Sequence, residues 1–221
     1  MAYLDFLQTH GDRLIDGTVV TVFQFFLATA VAVSVALLFG LMRLSQNLAI
    51  RSVAVGYIEI FRGTSLLVQL FWIFFVLPLF GINLDKFLAG FLAVGLNMGA
   101  YGAELVRGAI LAVPRGQWEA AVALNMPRSR RMWRIVLPQA FLIMLPPWGN
   151  LVIEILKGTA LVALISVTDL MFEVRQINIA TFKAVEAFGT AILVYYAMAR
   201  LFVTPCMRAL ERAMARKTGK A

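Results

Sequence analysis

Charge is what this sequence has least of: 14% of its 221 residues are Asp, Glu, Lys or Arg, while 61% are hydrophobic. A soluble domain carries about 25% charged and 45–50% apolar residues, so this composition suits a surface that faces lipid, not water. A single cysteine, Cys206, excludes an internal disulfide framework and reads as a small lipid- or helix-facing side chain. The one histidine, His10, precedes the first apolar run with no metal-ligand or nucleophile constellation around it, which leaves a membrane enzyme without its chemistry. No G-x-x-x-x-G-K-[ST] occurs, and the Gly219-Lys220 pair has no strand before it and no helix after it. Met1 to Asp16 lacks a basic n-region and a small-residue cleavage site, so it does not read as a signal peptide.

Long apolar runs are abundant. A helix needs about 20 mainly apolar residues to cross a hydrocarbon core roughly 30 Å thick. Five stretches qualify: Gly17 to Met42, Gly63 to Leu84, Phe87 to Leu111, Ile135 to Leu156 and Ala187 to Met207. An open sheet cannot satisfy its edges in lipid, so the expected fold is all-α: one polytopic membrane helical bundle over residues 1–221. The fourth span passes through Pro138, Pro146 and Pro147 and is expected to kink. Gly158 to Thr168 is too short to cross; it can be the end of span four, a re-entrant piece or a small packed helix.

The net charge of +8 would raise nucleic acid as a partner for a soluble protein. Here Lys and Arg flank apolar runs, as in cytoplasmic loops, and no nucleic-acid partner is expected. With the N-terminus outside, Arg43, Arg51, Arg107, Arg115, Arg128, Arg130, Arg131, Arg134 and the basic residues from Arg200 to Lys220 face the cytoplasm. The other side keeps Asp5, Asp12, Asp16, Asp85, Asp169, Glu173 and Glu186. The positive-inside bias therefore predicts N-out, C-in.

The longest loop, about 113–134, lies between spans three and four. Pro114 and Gly116 break the preceding span, Gln117 to Leu124 forms a short helix, Asn125 can stop it in a left-handed conformation, and Pro127 suits the first turn of another helix. Glu119, Ala120 and Ala121 make a small knob with a carboxylate, able to seat in a partner's groove; an ordinary surface helix would look the same. Glu119, Ala120, Ala121, then Ile135, Leu137 and Pro138 stand at the spacings EAA, three residues, Gly, nine residues, I-x-L-P, with Asn125 at the glycine position.

That segment resembles the defining loop of permease subunits of binding-protein-dependent ABC importers. IEIFRGTSLLVQLFW from Ile58, GAYGAELVRGAILAVPRGQWEAA from Gly99 and LPQAFLIMLPPWGNLVIEILKGTALVALI from Leu137 resemble the polar-amino-acid subfamily, including histidine, glutamine, arginine and ectoine permeases. The resemblance implies a bacterial inner-membrane subunit without cofactor of its own. ATP and magnesium would sit on a separate ATPase subunit dimer, with a second permease subunit, identical or homologous, and an extracytoplasmic solute-binding protein as further partners. It makes 113–134 a coupling loop, with Glu119, Ala120, Ala121 and Asn125 as ATPase-coupling residues.

Ionisable groups within a span are costly and mark candidate sites. Glu154 and Lys157, three apart, can neutralise each other or line a pathway, where they would suit the two ends of a zwitterion. Asn97, Asn150 and Gln69 can add hydrogen bonds to a solute or between helices. Glu59 and Arg62 read as an interfacial pair, and Gly95, Gly99 and Gly102 as a close-packing stripe. Where the subfamily often has an acid after the lysine, this chain has Gly158, Thr159 and Ala160, which favours a neutral zwitterion over a strongly cationic solute. An ion-coupled secondary transporter is the competing reading, but five spans with one proline-rich segment do not divide into two repeated halves.

Overall fold

The computed structural model describes residues 2–217, and every regular element among them is helical. Gly219 and Lys220 lie outside the described residues. Four helices are long and apolar enough to cross a membrane, and a bent pair makes a fifth candidate.

The first helix, α1 (Ala2–Met42), has 41 residues. At 1.5 Å per residue it is about 60 Å long, twice the thickness of a hydrocarbon core. It therefore does not start at Gly17; its polar first third continues the helix beyond the apolar part. There Phe6 and Leu14 pack with Leu170, Val174 and Ile177 of α8 (Leu170–Thr181) and with Ala187 and Ala191 of α9 (Ala184–Ala197). Arg13 closes this satellite core with an ion pair to Glu173 at 2.7 Å.

The apolar part of α1 lies along α4 (Lys86–Leu111), the most extensive helix contact in the chain. Ala28, Ala32 and Ala36, fully buried, recur every four residues on α1, and Gly95, Gly99 and Gly102 face them from α4. A Cβ at Gly95 would fall 2.7 Å from Val31, and one at Gly99 2.8 Å from Val35. In lipid such small-residue stripes let backbones approach and gain dispersion contacts that the hydrophobic effect cannot supply.

The second span does not run over Gly63 to Leu84 as one helix. Asn47 caps α2 (Leu48–Gly63) by accepting from the Ala49 N–H, 2.9 Å. After a break, α3 (Leu66–Phe71) runs on through a π turn (Trp72–Val76) and a 3-10 turn (Leu77–Phe80), at 106° to α2. Arg51, placed by sequence on the cytoplasmic side, and Glu59 and Arg62, read as an interfacial pair, all lie on the amphipathic helix α2.

Between α4 and the next span come α5 (Arg115–Ala123) and α6 (Arg128–Arg131), which leads through a π turn (Met132–Val136) into α7 (Leu137–Thr159). Pro138 comes two residues after that π turn, in a helix that runs on from α6, so its missing N–H removes one bond of the ladder there, and α7 stays helical across Pro146 and Pro147. The 3-10 turn Ala160–Ile165 prolongs it until Ser166, at φ 62°, ends it. Residues 158–165 are thus the end of the fourth span, not a re-entrant piece. The last span joins α9 through a π turn (Met198–Val203) to α10 (Thr204–Lys217). Met42, Leu111, α5 and α6 share one end of the bundle, called the loop end below; α8 marks the opposite end.

Candidate functional site

The break between α2 and α3 interrupts the helical ladder, and the carbonyls at the end of α2 take donors from side chains outside that helix. Two of the polar residues singled out by sequence meet there. The Asn97 amide donates to the Phe61 carbonyl at 3.0 Å and to the Gln69 side-chain oxygen at 3.1 Å. Gln69 in turn donates to the Phe61 carbonyl at 2.9 Å and to Thr64 Oγ1 at 2.6 Å. Asn97 and Gln69 therefore hold the break together, and Asn97 is almost fully buried.

Glu154 and Lys157 form an ion pair on α7, 2.6 Å apart, and their side chains are 54% and 62% exposed. Asn150, one turn earlier, is exposed on the same flank and makes no side-chain hydrogen bond with the described residues. Ile143 and Pro146 continue the uncovered strip, spaced three and four residues apart as one helix face requires. The strip lies inside the span. Gly158, next to Lys157, packs against Val94 and Leu66, and Val94 is eight residues into α4, about 12 Å below its Lys86 end. The α7 flank and the broken helix thus meet through Leu66, the first residue of α3. Among the described residues Asn150, Glu154 and Lys157 make no hydrogen bond or ion pair with Asn97 or Gln69; the structure brings together two pairs, not one five-residue cluster.

At the loop end, α5 closes with a tight C-terminal turn. Asn125 takes φ 51°, its N–H donates to the Val122 carbonyl at 2.9 Å, and the Met126 N–H donates to the Ala121 carbonyl at 3.1 Å. This pair of bonds defines a Schellman ending, which asparagine tolerates where glycine is usual. Glu119 and Ala120 are exposed. Ala121 is not: it is 1% exposed, turned inward against the chain's own loop, because α5 packs on the π turn before α7. The outward surface is Glu119, Ala120, Val122 and Leu124, a correction to the knob expected from Ala120 and Ala121.

Sequence reasoning missed the partner of Glu104. Arg43, from the end of α1, approaches its carboxylate at 3.1 Å, and Arg107 approaches it at 3.3 Å. Glu59 joins only loosely, 3.9 Å from Arg43. Glu59 and Arg62 are therefore not a pair: the Arg62 guanidinium lies over the Tyr101 ring, 5.3 Å from its centroid. Nothing local in the sequence links residues 43 and 104; only the α1–α4 stripe does.

The chain thus has a broken second span, a polar flank on a proline-bearing fourth span and a capped helix in the loop between spans three and four. Residues 32–216 match the family described as binding-protein-dependent transport system inner membrane component. The chain belongs to that family. It is similar to the probable amino-acid ABC transporter permease protein y4tF of Sinorhizobium fredii, 46% identical over 82% of this chain and 78% of the relative. It is also similar to the glutamine transport system permease protein GlnP of Escherichia coli, 35% identical over 91% and 92%. A solved structure described as an amino acid ABC transporter with histidines superposes with a TM-score of 0.88 at 36% identity, over 96% and 98% of the two chains. The permease is thus a multi-pass inner-membrane transport subunit of the ABC type, and the secondary-transporter reading is not favoured.

Proposed function

We propose that this permease forms half of the translocation pathway of an ABC importer for a small zwitterionic, amino-acid-like solute. The observation that carries the proposal is the Asn150–Glu154–Lys157 flank, charged and uncovered within an apolar span. Charges facing hydrocarbon cost about 2.5–3.5 kcal/mol each at a helix centre, so a second permease subunit or a watered pathway covers this face. There Lys157 meets the solute carboxylate and Glu154 its ammonium, each exchanging an internal ion pair for one to solute. Asn97 and Gln69 set the position of the α2–α3 break beside that flank and complete the pathway wall.

Energy comes from a separate ATPase subunit, onto which α5 docks as the coupling helix through Glu119 and Ala120. Ala121 and Asn125 hold α5 at its docking angle. A solute-binding protein delivers solute at the opposite end. The names of the relatives, amino-acid and glutamine permeases, support the solute class. The basic residues at the loop end support N-out, C-in.

Uptake of labelled neutral amino acids by cells carrying Glu154→Gln tests the site. Losing a charged hydrogen-bond partner costs about 1.5–3 kcal/mol, so half-saturation should rise roughly ten- to a hundredfold at normal expression. Unchanged selectivity and rate in a well-expressed variant would reject the assignment.

A further inference from the structure

Two cavities meet at the loop end, and neither belongs to the pathway proposed above. One, about 580 Å³, is polar and basic: Ser45, Gln46 and Asn47 from the α1–α2 turn, Trp118 of α5, and Arg128 and Arg131 of α6 line it. Arg128 donates to the Gln46 side-chain oxygen at 2.7 Å. Arg131 Nε is buried without a hydrogen-bond partner. No carboxylate lies within ion-pair distance of either arginine among the described residues. Two guanidinium groups thus face one cavity with their charge uncompensated.

The other cavity, about 530 Å³, is an apolar trough between α1, α4, α7 and α10. Thr29, Val33, Leu37 and Leu41 form its α1 wall at every fourth residue. From Thr29 to Leu41 that wall rises twelve residue steps, about 18 Å at 1.5 Å per residue, which is close to one leaflet of a hydrocarbon core roughly 30 Å thick. Its mouth abuts the basic cavity. Ile110 borders both, Trp133 of the trough follows Met132 of the basic cavity, and Leu41 lies one turn from Leu44.

We propose that the two cavities together hold one anionic phospholipid from the leaflet at the loop end. Its phosphate lies against Arg128 and Arg131, and one acyl chain fills the trough. Charge chooses the occupant: guanidinium forks match phosphate oxygens in pairs, and basic pockets between spans are the places where anionic head groups lodge. A free anion would use only the basic half and leave the one-leaflet trough unexplained. A protein segment would have to bring both an acid and an apolar chain along the same line.

The test uses the assembled transporter, purified with its ATPase and placed in mixed phosphatidylglycerol and phosphatidylcholine, with retained lipid counted by native mass spectrometry. Phosphatidylglycerol should be retained selectively, and each of Arg128→Gln and Arg131→Gln should weaken retention about fivefold, the strength of one basic side chain at an anionic surface. Arg130→Gln and Arg134→Gln, exposed arginines of the same stretch that line neither cavity, should change it little. Ala140→Leu, on the trough wall, should also reduce retention, whereas inorganic phosphate should not displace the lipid. Equal retention of both lipids, or no effect of the two cavity arginines, overturns the proposal. So does displacement by phosphate with Ala140→Leu silent, which would mean a free-anion site. Loss of a subunit from the Arg128→Gln or Arg131→Gln complex without loss of lipid overturns it too, because the cavity would then be a protein interface.

Discussion

By sequence, Asp169 is one acid among several in the segment between spans four and five. In the fold it is fully buried, caps α8 by accepting from the Phe172 N–H at 2.9 Å and lies 3.5 Å from the Tyr195 hydroxyl. Burial pushes its carboxyl up from the usual 3.8 to about 7, against the pull of its backbone hydrogen bonds. The folded state then binds a proton that the unfolded chain releases, so stability is highest at low pH and falls as pH rises from about 4 to 7. Asp169→Asn keeps the cap oxygen and removes the titration. In detergent, the wild-type melting temperature should fall between pH 5 and 8 while that of Asp169→Asn stays flat; parallel curves would mean that the group does not titrate there. At this scale the sequence revealed residue types but not their environments. Glu154 and Lys157 could be paired from their spacing alone. The Asn97–Gln69–Phe61 contact and the Arg43–Glu104 pair could not, because each depends on a helix break or a helix contact that no local pattern records.

Among the elements, α5 was the most legible, since Pro114, Asn125 and Pro127 are punctuation with a known backbone meaning. What stayed hidden was its rotation: Ala120 and Ala121 are adjacent, yet one is exposed and the other buried. This separates their expected phenotypes. Ala120→Trp places bulk on the outward face, and overpacking there costs about 1–3 kcal/mol, roughly a five- to hundredfold loss of association with the ATPase at unchanged membrane levels. Glu119→Lys should act in the same way by reversing the charge offered. Ala121→Trp should instead lower the amount of folded permease, and Asn125→Gly should be tolerated or mildly stabilising, since glycine takes positive φ at less cost. Co-purification of the ATPase against total permease on blots distinguishes these classes; an intact complex with Ala120→Trp and Glu119→Lys would reduce α5 to a connector. The π turns in the second, fourth and fifth spans each end two residues before a proline, Pro78, Pro138 and Pro205. A proline lacks the N–H its position would donate and its ring crowds the carbonyl one turn back, which disturbs the ladder there.

For the whole molecule, hydropathy gave the all-helical bundle and the number of spans, because lipid forbids most alternatives. It misjudged the second span, where charges on an amphipathic helix broke the apolar run that a window seeks. The N-out, C-in orientation proposed from the charge bias predicts that, in a Cys206→Ser background, Gln8→Cys is labelled by a membrane-impermeant thiol reagent in intact cells and Ser129→Cys only after lysis. Both sites are exposed; the reverse pattern would overturn the charge argument. The close α1–α4 seam has a consequence for biosynthesis. Its alanine stripe is made first, but the glycines that receive it belong to a helix completed only about 70 residues later, some 4–14 s at 5–20 residues per second. Through that interval α1 must wait in the membrane without its mate, while α2 and α3 are inserted. A chain cut at Ser45 and expressed as two fragments should therefore still assemble and transport, because the intact protein already joins these pieces after the fact; fragments that insert but never associate would show that the covalent link, not the seam, brings α1 home.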